Sequence, residues 1–174
     1  MRGACGSEIC VTQPACSDSR FVYLHAGTAP LGFAVPGVTY KTTLASGSAT
    51  ARTPTYYLRK SFSLATIPAG TAYSGTGSLQ MDDGVVVFLN GVEVGRINVA
   101  EGPVLHTAYA SAAVSTAADS TTVRTLSVAP GVLRAGANVL AVVLKQANPT
   151  SLDLLFDASV AVFVNVAAPP PLAL

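Results

Sequence analysis

LQMDDGVVVFLNGVEVGR, residues 79–96, reads as two strands closed by a two-residue turn. Asn90-Gly91 separates the apolar run 85–89 from the run 92–94. Both central residues of a type I′ turn have φ > 0, which Asn tolerates and Gly adopts freely, so Asn-Gly between apolar runs is a strong hairpin signal. Upstream, Asp82-Asp83-Gly84 reads as a second turn, feeding Leu79 and Met81 into the valine-rich strand. No catalytic constellation lies in this stretch.

Working outward, residues 56–64 alternate. Tyr56, Leu58, Phe62 and Leu64 share one face, and Tyr57, Arg59, Ser61 and Ser63 the other; this period of two marks a half-buried strand. Lys60 has the parity of the apolar face, which requires either an open edge where it snorkels or a bulge that shifts the register. Residues 139–144 are almost continuously apolar, the pattern of an inner strand buried on both faces. Residues 152–163 alternate again, with Leu154, Phe156, Ala158, Val160 and Val162 inward and Asp153 and Asp157 outward. Asp157 is a candidate partner for Arg59 or Lys60.

Further strands are expected over 21–25, 39–44 and 123–128. Residues 27–37, 46–55 and 65–77 read as loops, and 97–122 as a long excursion without a convincing helix. About eight or nine short strands between Gly/Pro turns predict an all-β fold, an antiparallel β-sandwich of jelly-roll type. Its expected core includes Leu58, Phe62, Met81, Leu140, Val142, Leu154 and Phe156.

The 174 residues suffice for one domain with a sizeable core. Residues 1–20 read as a cysteine-containing segment or linker, 21–166 as the sandwich, and 167–174 as a proline-rich tail. The chain is 50% hydrophobic and 11% charged, against about 25% charged in a typical soluble protein. Ten basic and nine acidic residues leave a net charge of +1 and no basic run, which excludes a nucleic-acid footprint. No apolar run reaches the ~20 residues of a membrane span, and the first residues carry no apolar signal-peptide core. So charge-poor a surface suits a domain partly covered by a larger protein or a homo-oligomeric assembly.

The three cysteines, Cys5, Cys10 and Cys16, crowd the N-terminal segment. They predict a disulfide in an oxidising compartment, with all three pairings open. Zinc would need a fourth ligand, and His25 lacks the usual paired spacing.

Taken in order, YYLRKSFSL, MDDGVVVFLNGVEVGR, GANVLAVVLKQ and SLDLLFDASV resemble the galactose-binding-like jelly-roll accessory domain of secreted and cell-surface proteins. That domain often sits beside calcineurin-like metallophosphatases and is similar in shape to the sugar-binding domain of glycoside hydrolase family 2. APLGFA at 29–34 resembles the family's APLGYG turn, and FVYLHAG its opening YLDDG strand. The resemblance covers about residues 21–163 and implies an extracellular or cell-surface location. The chain departs from the family in having no Trp, and in carrying Val143 and Lys145 where members often have Glu and His.

The chemistry points away from an enzyme. The two histidines, His25 and His106, lie in unrelated segments, and neither a GxSxG elbow nor a metal cluster is present. Asp82 and Asp83 could offer oxygens to a structural Ca²⁺, the one cofactor the sequence leaves open. The competing reading is a turn whose Asp side chains bond nearby backbone N–H groups. Sugar binding calls for aromatic faces flanked by polar groups, for which Tyr40, Tyr57, Tyr73 and Tyr109 are available. The loops 65–77 and 97–122 are the expected contact surfaces, with Tyr73, His106 and Tyr109 facing the ligand; ordinary loop packing is the alternative. The expected function is that of a non-catalytic, carbohydrate-binding-like module whose partner is a glycan or a neighbouring domain. The alternatives are a structural domain of a cell-surface or filamentous protein, or an accessory domain of a larger secreted hydrolase.

Overall fold

The computed structural model describes residues 9–14 and 22–166 and shows two sheets packed face to face. The larger has six strands. In spatial order they are β10 (Val92–Ile97), β9 (Gly84–Leu89), β12 (Gly136–Lys145), β7 (Thr55–Leu64), β1 (Ile9–Pro14) and β2 (Val22–Gly27). The five-stranded sheet runs β11 (Arg124–Val128), β8 (Thr71–Asp82), β13 (Leu154–Val166), β3 (Leu31–Phe33) and β4 (Thr42–Thr43). A small hairpin joins β5 (Gly47–Ser48) to β6 (Ala51–Arg52), and a short helix, α1, spans Ala117–Thr121. The strand pairs are antiparallel, except for the short parallel β3–β4 pair.

The main core lies between the sheets. Leu58, Val85, Val87, Val142 and Leu144 from the larger sheet meet Leu31, Leu79, Met81, Leu154 and Phe156 from the smaller. A second cluster of Tyr73, Leu89, Val128 and Leu133 fills the end nearest the β9–β10 turn, and Phe62 and Leu140 pack half-buried against it. The apolar alternation along β7, β8 and β13 makes this possible, because one parity of each strand faces the opposite sheet.

The Asn-Gly hairpin forms as its sequence dictates, with φ of 52° at Asn90 and 84° at Gly91. Asn90 also fastens this turn to the next strand. Its Nδ2 donates to Val132 O and to Asn138 Oδ1, each at 2.8 Å, and its Oδ1 accepts from Val139 N–H at 2.9 Å. Asn138 is fully buried and in turn holds Arg134 N–H and the carbonyls of Arg134 and Gly136.

Four expectations are corrected. Residues 71–77 are strand, not loop: Gly75 and Gly77 take the inward parity of β8, and a Cβ at Gly75 would lie 2.9 Å from Ala161 O of the neighbouring strand. Ile9–Pro14 lies in a strand between β7 and β2, not in a linker. The register of β7 on β12 is unbroken through Lys60, so no bulge re-aims that residue there, and it stays half-buried on the inward face. The outer face of β12 is half-buried, not fully buried, at Val139, Ala141 and Val143. Cys5, Cys16 and the tail 167–174 lie outside the described residues; Cys10 falls in β1.

Phe156 is 1% exposed between the sheets. Phe156→Ala is expected to lower unfolding free energy by about 3–5 kcal/mol in urea titrations, with the β-type circular dichroism of the native state retained.

Candidate functional site

Asp82 and Asp83 sit where the chain leaves the smaller sheet at the end of β8 and enters the larger one at β9. The turn expected here is therefore a corner between sheets, built on a cis peptide bond between the two residues. Both side chains are essentially inaccessible. Gly84 completes the corner, since a Cβ there would lie 2.8 Å from Ala110 Cβ and from Asn98 O. The loop 98–116 thus packs directly on the corner backbone.

The two carboxyls stitch loops to this corner. Asp83 Oδ1 accepts from Val114 N–H at 2.9 Å, and Oδ2 accepts from Ala147 N–H at 2.7 Å and from Ser151 Oγ at 3.3 Å. Asp82 Oδ2 is in hydrogen-bond contact with Ser120 Oγ of α1 at 2.6 Å, while its Oδ1 is buried without a partner. Protein groups thus hold three of the four carboxyl oxygens. Among the described residues, no group of three or more His, Cys, Asp or Glu side chains is placed to hold a metal ion. The Ca²⁺ expectation for Asp82 and Asp83 thus gives way to hydrogen bonding, but to distant loops and not within a local turn.

Lys145, 1% exposed, plays the same part on the outer face of the larger sheet. Its Nζ donates to Thr55 Oγ1 and Leu105 O, each at 2.5 Å, and to Ala108 O at 2.9 Å, so all three ammonium protons are used. Burial lowers its pKa to about 8. Thr55 passes its own proton on to His106 O at 2.6 Å. Through these bonds the long excursion after β10 becomes an ordered cover over one end of the sandwich.

The structure separates the three expected ligand-facing side chains. Tyr73 is buried in the second core cluster, and its hydroxyl donates to Ala65 O at 2.5 Å. It lies nine residues along β8 from Asp82, roughly 30 Å at the rise of an extended strand. His106 is at the Asp82 end, where its ring stacks on Tyr57 with centroids 6.1 Å apart and planes 20° from parallel. Tyr109 is half-buried in the same loop, between Ala108, held by Lys145, and Ala110, whose N–H donates to Gln146 O. Tyr73 therefore serves the core, and no common site unites it with His106 and Tyr109. Asp157 belongs to the smaller sheet, whereas Arg59 and Lys60 belong to the larger, so the expected pairing does not form.

A different constellation appears on the outer face of the smaller sheet. Ser78, Gln80, Asp157, Ser159 and Val123, with backbone of Leu79 and Ala158, line an open groove of about 220 Å³. Strand register assembles it: Ser78 lies opposite Ser159, and Gln80 opposite Asp157, on neighbouring strands β8 and β13. Val123, 61% exposed, forms the wall next to α1. Gln80 Nε2 donates to Thr121 O, which leaves Gln80 Oε1 and the Asp157 carboxylate as acceptors beside the two serine hydroxyls. Such a surface can bind a ligand rich in hydroxyl groups, and it holds no His, Lys or Arg. Its residues escape a linear reading because they become neighbours only once β8 pairs with β13.

No family model, curated protein or solved structure matches the chain.

Lys145→Ala is expected to destabilise the fold by about 3 kcal/mol, because the buried Thr55 hydroxyl and the carbonyls of Leu105 and Ala108 lose a charged donor. Chemical denaturation measures the loss. Proteolytic cleavage within 98–116 should quicken in the same variant.

Proposed function

We propose that this chain is a non-catalytic, extracellular β-sandwich module that binds a neutral glycan on the outer face of its five-stranded sheet. The observation that carries this reading is the groove lined by Ser78, Gln80, Asp157 and Ser159. Vicinal sugar hydroxyls can donate two hydrogen bonds to one carboxylate, and the serines can both donate and accept. A lone carboxylate with no neighbouring cation disfavours acidic sugars and phosphates. The groove holds two hydroxyls without a histidine to activate either, which supports binding over acyl transfer. The resemblance to galactose-binding-like accessory domains points the same way, and with it to a jelly-roll topology and a place beside other domains of a secreted or cell-surface protein.

Assembly is the second reading. It is favoured by Phe163 and Val164, 52% and 49% exposed in the last strand. Sedimentation would show self-association that Phe163→Ser abolishes.

A glycan array should give neutral sugars as hits. Asp157→Ala should weaken that binding by at least about tenfold, the worth of a charge-assisted hydrogen bond, without moving the melting temperature. An array without hits, or a variant that binds as before, contradicts the proposal.

A further inference from the structure

Helix α1 is held on β8 by two side chains of that strand. Gln80 Nε2 donates to Thr121 O, and Asp82 Oδ2 contacts Ser120 Oγ at 2.6 Å. Val123, the wall of the groove, follows two residues after α1 ends at Thr121. Whatever fixes the helix therefore fixes one side of the groove.

Proton counting at Ser120 decides how the helix is fixed. Ser120 Oγ lies 2.6 Å from Asp82 Oδ2 and 3.0 Å from Thr116 O. A hydroxyl has one proton to give. If Asp82 is ionised, one of these two contacts goes without a hydrogen. If Asp82 carries a proton, its O–H donates to Ser120 Oγ and Ser120 donates to Thr116 O, so both are made. Both oxygens of neighbouring Asp83 are already committed to protein donors, which leaves Asp82 as the place for a proton.

The surroundings agree. The acidic groups acting on Asp82 are Asp83, beside it in the corner, and Asp153, just before β13. Tyr40, on the segment after β3, also faces it, with its hydroxyl donating to Leu154 O. The cations of the packed elements are engaged by other groups: Lys145 by Thr55, Leu105 and Ala108, and Arg124 by the carbonyls of Asp119 and of Thr122 at the C-terminal end of α1.

We propose that Asp82 is a proton-operated latch: carrying a proton it holds α1 on β8 and sets the Val123 wall of the groove, and on losing the proton it lets both loosen. The latch is a regulatory device of the groove and rests, for its consequence on binding, on the reading of that groove as a ligand site. Burial above all, and then the charges of Asp83 and Asp153, push the Asp82 carboxyl up to about 7, against the lowering pull of the Ser120 hydroxyl. A carboxyl raised in the docked state favours docking fully below its ordinary range, and the advantage is lost as pH rises toward 7. Within that window the docking equilibrium falls by up to about tenfold per pH unit, and above it the curve is flat.

Carboxyl-carbon NMR of Asp82, with the amide shifts of Thr121 and Val123 recorded in the same samples, tests the latch without any ligand. The expected result is an Asp82 midpoint at about 7, with both amides following the same curve. Asp82→Asn supplies an amide donor to Ser120 and should abolish that titration. Ser120→Ala, which tests the contact from the helix side, should uncouple the two amides from Asp82. An Asp82 midpoint in the ordinary carboxylate range overturns the proposal, as does a midpoint near 7 that leaves Thr121 and Val123 unmoved. A glycan array without hits would defeat the binding reading alone and would not alter these results.

Discussion

The structure depends on the grip of one buried carboxylate on two loops. Asp83 takes the N–H of Val114 on one oxygen and that of Ala147 on the other. These donors come from segments far apart in sequence, and each lies outside a strand. Irregular backbone beside a core cannot use a ladder to satisfy its N–H groups, and an unpaired one costs as much as a lost hydrogen bond. The carboxylate solves that problem at the point where the chain passes from one sheet to the other. Asp82 and Lys145 repeat the device on either side, one toward α1 and one toward 105–108. Among the described residues, most of the fully buried polar ones secure the excursion after β10.

This division of labour sets where function can reside. The end of the sandwich near Asp82 is held by the bonds of Asp83 and Lys145 to the covering loops, and the opposite end is closed by the Tyr73 cluster and the Asn90–Asn138 pair. The outer face of the five-stranded sheet keeps polar groups with hydrogen-bonding capacity to spare. Binding on such a face uses a rigid platform, so little ordering is lost when a ligand arrives. The wall of the platform at α1 is held through Gln80 and Asp82.

Much of the fold was legible because period and turn chemistry agree. Asn90-Gly91 between valine-rich runs specified the hairpin, and the alternation in 56–64 and 152–163 specified β7 and β13. Strand β8 was hidden by its own glycines. The stretch from Tyr73 to Met81 does alternate, but its inward positions include Gly75 and Gly77, which carry no hydrophobic signal. Asp82-Asp83-Gly84 announced a bend without announcing its burial, because acidic turn residues are ordinarily solvated. Lys145 did carry a cue: it closes an apolar run with the parity of the outer face, where a free lysine would be expected, yet the loop 98–116 covers it. The site was the least legible part. Tyr73, His106 and Tyr109 were chosen as aromatics in apparent loops, whereas the groove arises from the register of two strands about 80 positions apart.

The central claim is that Asp83 gives two loop amides the security of core strands. Native-state hydrogen exchange of the Val114 and Ala147 amides tests it most directly. The account predicts protection comparable to that of the Val86 and Leu144 amides in the middle of the larger sheet. Exchange of Val114 and Ala147 at the rate of exposed loop amides, with Val86 and Leu144 still protected, would contradict it.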